Sequence, residues 1–444
     1  MISLKLLWAL CGTAVLVMNF VFLRNILEID EEDYRNILEI DEEDYCSADS
    51  RVCLYHNICY DTVTESWQTA TDSMKHFPIL NAMNHTKHSD AREPFAACNE
   101  RFEPKPNVSF PSRQEMTYRE GTTYLVCCWV NHFGHNLIHM MVSSVHALVA
   151  IGLKNAFFAN EITFLVDNRF DKKRGNPNII LHLFEFLTKN SDRVSSLEAL
   201  TKQVKKTGKD KVCFEKLVVG MRHDDLVFGL GPEKEDGAHL RTALERKTAP
   251  GASMNMIQPI RDHLDKMYPL TRESSISAIK ETEFLPANGD YKASPPVCTI
   301  TFLQRKKTRV IGNFNDVLGI AKEVFHEPKW NIRSVAFEET SLESQYIIVR
   351  SSMVFITASG TGSHMGMFLN DGGINYEFMY APLSKLANKY ICDVSPYMSC
   401  TGTPSTCSES NCKHVKYTYV DLKAFRDKIM SVKEEISSKC VWVH

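Results

Sequence analysis

The sequence predicts an α/β protein of two parallel-sheet domains facing one another across a cleft, preceded by one membrane-spanning helix. Three observations carry this expectation. Apolar strand-like runs alternate with amphipathic helical runs from Gly121 to Phe378; Pro286 and Pro295-Pro296 divide the alternation into two series; and Leu6 to Leu23 runs eighteen residues without a charge. A chain of 444 residues with 44% apolar and 24% charged content is long enough for two packed domains. That balance excludes collagen-like, fully disordered and polytopic membrane proteins. With 51 basic against 54 acidic side chains the net charge is −3, and nothing in that total points to nucleic acid.

The apolar run lies between Lys5 and Arg24 and is just long enough to cross a bilayer. A cleaved signal peptide is the competing reading, but the run ends in Asn-Phe-Val-Phe-Leu-Arg rather than in small residues. The expectation is therefore an uncleaved signal anchor with residues 1–24 as cytosolic tail and helix. Thirteen of fourteen cysteines lie beyond it, nine of them grouped as Cys46, Cys53, Cys59 and Cys98 at one end and Cys392, Cys400, Cys407, Cys412 and Cys440 at the other. Such clustering suits disulfides in an oxidising lumen. Zinc on Cys400, Cys407, Cys412 and His414 is the rival account of the tail, although the spacing matches no short-knuckle pattern, and no metal is expected. Asn84-His85-Thr86 and Asn107-Val108-Ser109 make Asn84 and Asn107 glycosylation acceptors on the same side. A single-pass type II protein of the Golgi or endoplasmic reticulum membrane, its body lumenal, follows as the expected topology.

Residues Arg24 to Tyr34 and Arg35 to Tyr45 are one eleven-letter segment written twice, with ten acids and two arginines between them. Two copies are too few for a solenoid, so residues 25–115 are expected to be an acidic stalk and a Cys-containing stem. The first α/β series, within 116–290, reads as strand Thr122 to Val130, helix Phe133 to Leu153, strand Glu161 to Val166, helix Ile179 to Leu187, strand Val212 to Gly220 and helix Ile257 to Tyr268. The second, within 291–385, reads as strand Val297 to Leu303, helix Asn315 to Phe325, strand Ile332 to Phe337, helix Leu342 to Arg350, strand Met353 to Thr357, helix Ser363 to Leu369 and strand Ile374 to Phe378. Short turns between alternating elements imply Rossmann-like sheets wound on both faces. Residues 386–444 are expected to be a Cys-rich tail packing back on the body.

Parallel sheets bind ligands at the carboxyl ends of their strands. After Leu303 comes Gln304-Arg305-Lys306-Lys307-Thr308-Arg309, where Arg305 and Arg309 suit a diphosphate because guanidinium offers paired donors in fixed geometry. The plain alternative is a solvated basic turn. After Thr357 comes Ala358-Ser359-Gly360-Thr361-Gly362-Ser363-His364, small residues opening a helix whose exposed N–H groups favour an anion, although no Walker lysine follows. Glu377 closes the next strand, where a carboxylate can accept from ribose hydroxyls. In the first series His132, His135, His139 and His146 fall within an arc of about 60° on one helix. A histidine on that stripe can deprotonate an acceptor hydroxyl, can be structural, or can share a metal.

Taken together these segments resemble glycosyltransferase family 61. Asn131-His132-Phe133-Gly134-His135-Asn136-Leu137 is similar to its aromatic-Gly-His helix start, and Val212-Cys213-Phe214-Glu215-Lys216-Leu217-Val218-Val219-Gly220 to its Cys-Phe-Glu-Lys strand. Arg305, Arg309 and Asn313 match its Arg-x-x-x-Arg-x-Ile-x-Asn pattern, and Gln345, Arg350 and the turn through Phe368 resemble its last nucleotide-binding segment, with Glu377 in place of its final acid. Two departures stand out. The family's loop histidine is displaced here by five positions, to His364, and His139 stands where the family often has a carboxylate. The resemblance implies a GT-B fold, no obligatory cofactor or metal, and a nucleotide-sugar donor, a UDP-sugar first among them, held by Arg305, Arg309, Asn313, Ser359, Gly360, Thr361, Gly362, Ser363, His364 and Glu377. It implies a glycan or glycoprotein acceptor, inversion at the transferred sugar, and His135 or His139 as the catalytic base.

Three other readings compete. A carbohydrate-binding pseudoenzyme is compatible with both departures. A serine hydrolase would need the glycines of a nucleophile elbow around Ser359, which are lacking. A metal-dependent transferase would need paired acids after a strand, where Asp167 stands alone.

Overall fold

The computed structural model describes residues 45–46, 52–69, 105–106, 115–127, 141, 144–145, 147–149, 151–167, 178–220, 257–282, 298–307, 309–326, 328–358, 360–379, 399–407 and 417–439. The apolar run Leu6 to Leu23, the acidic repeat up to Asp44, Asn84, Asn107 and the histidines at 132, 135, 139 and 146 lie outside them. Among the described residues no helix is long and apolar enough to cross a membrane.

Two sheets organise the chain. The first contains β1 (Tyr45–Cys46), β2 (Val52–Asp61), β3 (Ser66–Thr69), β4 (Lys105–Pro106), β5 (Met116–Cys127), β6 (Ile162–Asp167), β7 (Val194–Ser196) and β8 (Lys211–Gly220). Their order is β4-β3-β2-β8-β5-β6-β7, with β1 beside β2. Strands β8, β5, β6 and β7 run parallel, while β2 is antiparallel to both β8 and β3. Helices α1 (Lys154–Phe158), α2 (Asn178–Thr188) and α3 (Leu197–Lys206) connect these strands, and α4 (Ile257–Met267) and α5 (Arg272–Glu281) follow. The rules that make α3 a helix are local. Ser196 accepts from the Ala199 N–H, Glu198 sits in the first turn, Lys205 and Lys206 in the last, and Leu197, Leu200 and Val204 form the buried stripe.

The expected stem at 25–115 is corrected in part. Residues 52–69 lie inside the first sheet, where β2 is flanked on both sides and is buried at eight of its ten positions. A disulfide joins Cys59 on β2 to Cys213 on β8, across positions that face each other in the antiparallel register. Cys53 and Cys298 are disulfide-bonded as well.

The second sheet contains β9 (Cys298–Leu303), β10 (Val310–Ile311), β11 (Trp330–Val335), β12 (Val354–Ala358), β13 (Ile374–Met379), β14 (Ser399–Cys407) and β15 (Tyr417–Val420), in the order β10-β15-β14-β13-β12-β9-β11. The run β11-β9-β12-β13-β14 is parallel throughout. Counted along the chain this is a 2-1-3-4-5 arrangement. The chain leaves β9 for one side, to β11, and then crosses to the other, to β12, so the direction of winding reverses between β9 and β12. Helices α6 (Phe314–Val324), α7 (Leu342–Arg350) and α8 (Leu422–Ser437) complete this half, with a 3-10 helix at Thr361–Phe368 where an ordinary helix over Ser363 to Leu369 is expected. The tighter winding shows in the bonds from Ser363 N–H to Gly360 O and from Leu369 N–H to Gly366 O, each spanning three residues.

The tail is more than a cover. It supplies β14, β15 and α8, so the second sheet extends well beyond the expected limit at residue 385. Asp421 caps α8 through the N–H groups of Lys423 and Ala424, and Phe425, Ile429, Val432 and Ile436 turn inward. The Phe425 ring packs 5.7 Å from Tyr376 and 5.5 Å from Phe378.

Helices α4 and α5 join the two halves. Arg350 of α7 grips Asp265 of α4 through two parallel bonds of 3.0 and 2.8 Å, and the Tyr346 hydroxyl donates to the same carboxylate. Arg261 pairs with Asp371 at 2.7 Å. Glu281 of α5 accepts from the Ser341 N–H and hydroxyl and from the Ser344 hydroxyl at the start of α7. Beneath these bonds Phe186 stacks on Tyr268 and Phe368 meets Tyr346 edge-on, within one apolar cluster that reaches into both halves.

Candidate functional site

The loop leaving β9 is shaped by a single buried amide. Gln304 donates from Nε2 to the Ile311 carbonyl at 3.1 Å, while its Oε1 accepts from the N–H groups of Arg305 and Ile311, each at 3.1 Å. The side chain thus serves as the missing strand partner of β10 and brings the ends of the loop together. Arg309 takes a left-handed backbone, φ +56°, just before the chain enters β10. Lys306 is drawn elsewhere, its N–H to Glu338 at 2.6 Å and its ammonium to Glu339 at 3.7 Å. Of the four cations in the loop, two converge.

They converge over Gly360, the turn after β12. Its φ of +151° belongs to a region open essentially to glycine alone. A Cβ built there would collide with Nη1 of Arg305 and stand 2.7 Å from Nη1 of Arg309. The missing side chain is the space both guanidiniums occupy. Ser363 fixes the turn by donating to the Gly360 carbonyl from its N–H at 2.9 Å and its hydroxyl at 2.6 Å. Gly362 lets the 3-10 helix approach the end of β9, since a Cβ there would come 2.6 Å from Cδ2 of Leu303. Because β9 and β12 are neighbours at the winding reversal, these two loops border the crevice where sheets of this topology take ligands.

His364 is buried in that 3-10 helix. Burial first, and the charge of Arg309 second, lower its pKa to about 4, so at neutral pH it is an uncharged imidazole beside a guanidinium. The unfolded chain, with the ordinary value near 6.5, holds the extra proton between these two pH values. The stability this group contributes is therefore complete above about pH 6.5 and declines as pH falls toward 4, by on the order of 3 kcal/mol in all. Between pH 6.5 and 5 the parent is expected to lose about 2 kcal/mol more than His364→Gln, a difference read from denaturant unfolding at the two pH values. Parallel stability curves would place a charged imidazole in the folded protein.

Glu377 is fully buried on β13, level with Thr357 on β12 and Gly402 on β14. It lies on the sheet face opposite the apolar Tyr376 and Phe378, which belong to the core beneath α6 and α8. Other predicted residues have structural engagements. Asn313 donates to the Val420 carbonyl at 2.8 Å and accepts its N–H at 3.1 Å, holding β15 in place. Gln345 binds the Phe337 and Thr340 carbonyls ahead of α7, and Arg350 is committed to Asp265, the Leu369 carbonyl and Asn370. Ser359, His135 and His139 lie outside the described residues, as does the Thr361 side chain. Gln304 is the residue that sequence reasoning missed as a determinant of the site. Its only signal is a polar side chain at the end of an apolar strand, and nothing in the letters says that it binds Ile311.

The assembled features are two guanidiniums and a helix start at the carboxyl ends of neighbouring strands, an arrangement chemically suited to an anion with more than one charged oxygen. Among the described residues no group of three or more His, Cys, Asp or Glu is placed to hold a metal ion. A comparison with curated proteins finds none that matches the chain. The family model of glycosyltransferase 61 does match, over residues 130–374, a span of more than half the chain that takes in the arginine loop and the glycine turn. On that match the chain belongs to glycosyltransferase family 61.

Proposed function

We propose that this protein moves a sugar from a nucleotide-sugar donor, a UDP-sugar first among candidates, to a hydroxyl of a glycan or glycoprotein, with inversion at the sugar carbon. The observation that carries the reading is the meeting of Arg305 and Arg309 over Gly360 at the winding reversal. In this mechanism the acceptor oxygen attacks the anomeric carbon from the face opposite the diphosphate. Its proton passes to a base, His135 or His139, as the new carbon–oxygen bond forms. The bond from the anomeric carbon to the diphosphate oxygen breaks, and the nucleoside diphosphate leaves with the bonding pair. Arg305 and Arg309 stabilise the charge that builds on it, with the start of the 3-10 helix adding N–H donors. Neutral His364 beside Arg309 does not repel that guanidinium. The proposed arrangement is of the GT-B kind, with the donor held mainly by the second half and the reacting acceptor hydroxyl meeting its base on the first.

Support for an oxidising compartment comes from the Cys59–Cys213 bond, and the sequence supplies the signal anchor, so we assign the body to the lumenal side of the Golgi or endoplasmic reticulum membrane. The test is titration calorimetry of the full-length chain with uridine diphosphate. Arg309→Ala is expected to weaken binding about 100-fold, in keeping with loss of a charged, hydrogen-bonded partner. Unchanged affinity would remove the arginine pair from the donor site.

A further inference from the structure

We propose that Tyr417 and Tyr419 form a stacking platform for the carbohydrate of the acceptor, adjoining the arginine pair; the assignment rests on the glycosyl-transfer reading above. Strand β15 alternates in burial. Thr418 and Val420 turn inward, whereas Tyr417 and Tyr419 stand on the opposite face with 37% and 44% of their surface open. Two residues apart on a strand, their rings repeat at about 7 Å.

Their position follows from the loop already described. Gln304, at the carboxyl end of β9, binds Ile311 of β10, and β10 pairs with β15 so that Val310 lies level with Tyr417 and Ile311 with Thr418. Val310 directly follows Arg309. The strand that carries the tyrosines thus runs alongside the chain that leaves the arginine loop, with Tyr417 level with the residue after Arg309. Two residues, Val310 and Ile311, lie between Arg309 and Gly312, at most about 11 Å of chain, and the Tyr419 ring lies against Gly312. A Cβ at Gly312 would come 2.6 Å from Cε1 and 2.8 Å from Cζ of that ring. The absence of a side chain lets the ring rest on the backbone, and the two bonds from Asn313 to Val420 hold the strand that carries it.

The chemistry selects the occupant. A pyranose offers an apolar C–H face rimmed by hydroxyls. A tyrosine ring offers an electron-rich face and a phenolic hydroxyl at its tip. Two rings in series on a fixed strand suit successive sugar units, whereas a nucleobase needs one. Continuity with the arginine loop then makes these sugars part of the acceptor.

The experiment probes the full-length chain against a printed array of defined N-linked and O-linked glycans. It then measures affinity for the bound glycan and for uridine diphosphate in the parent, in Tyr417→Ala/Tyr419→Ala, in Tyr417→Phe/Tyr419→Phe, and in Tyr417→Ser alone in case the paired alanine variant fails to fold. The alanine pair is expected to lose at least tenfold in glycan affinity with uridine diphosphate affinity unchanged, the serine variant to lose part of it, and the phenylalanine pair to keep most of it. Glycan affinity indifferent to all three variants, or no glycan bound by the parent, would overturn the proposal. Loss of uridine diphosphate affinity in the alanine pair would also overturn it, by giving the rings to the donor base. A parent that binds glycan through these rings but does not bind uridine diphosphate would overturn the donor-site reading and leave the platform standing.

Discussion

Gly360→Ala is expected to weaken uridine diphosphate binding about 100-fold while lowering the melting temperature by only a few degrees. The new methyl group would fall where Nη1 of Arg305 now lies and 2.7 Å from Nη1 of Arg309, so both guanidiniums must withdraw. Their side chains are long and can do so at small cost in stability, but the convergence that presents paired donors to one diphosphate is lost. The backbone contributes separately. At φ +151° an alanine is strained by about 1–3 kcal/mol, which accounts for the modest thermal shift. Calorimetric titration and a melting curve on the same preparation separate these effects. A variant that melts lower yet binds as tightly as the parent would show that the arginines do not meet the donor.

The second large effect concerns the first sheet. Replacing Cys59 and Cys213 by alanine is expected to destabilise the protein by about 2–5 kcal/mol, because the bond closes a loop of 154 residues and restricts the unfolded chain accordingly. The loss should appear in denaturant unfolding under oxidising conditions and shrink when the parent is reduced before measurement. Since Cys59 and Cys213 lie on the first sheet and the arginine loop on the second, uridine diphosphate affinity at low temperature should be preserved. A variant as stable as its parent would mean that the interstrand pairing of β2 and β8 suffices without the covalent link.

Much of the second half was legible because its signals are local. The runs expected at Leu342 to Arg350 and Ile374 to Phe378 are found as α7 and β13, and the strand ends that carry Arg305 and Gly360 follow from apolar runs cut short by polar residues. What escaped is what depends on distant partners. The apolar letters of β2 gain their meaning from β8, and α8 was hidden in a stretch dominated by its cysteines, although Phe425, Ile429, Val432 and Ile436 carry helical spacing. At the site, the arginines and glycines were readable as residue types suited to a diphosphate. That Gln304 ties the ends of the arginine loop together and that Asn313 holds β15 are facts of hydrogen bonding across seven and 107 residues. The partner of Arg350 is out of reach for a like reason, since the segment it resembles gives no hint of Asp265 on a helix 85 residues upstream.

The place of β2 in the middle of its sheet decides how this protein can be trimmed for laboratory work. A version starting anywhere between Asp61 and Met116 would retain the whole matched span, residues 130–374, yet would leave β8 as a raw margin with unsatisfied amides and an orphaned thiol at Cys213. Such a margin invites sticking between copies, so a fragment begun between Asp61 and Met116 should precipitate where one begun upstream of Tyr45 stays dispersed.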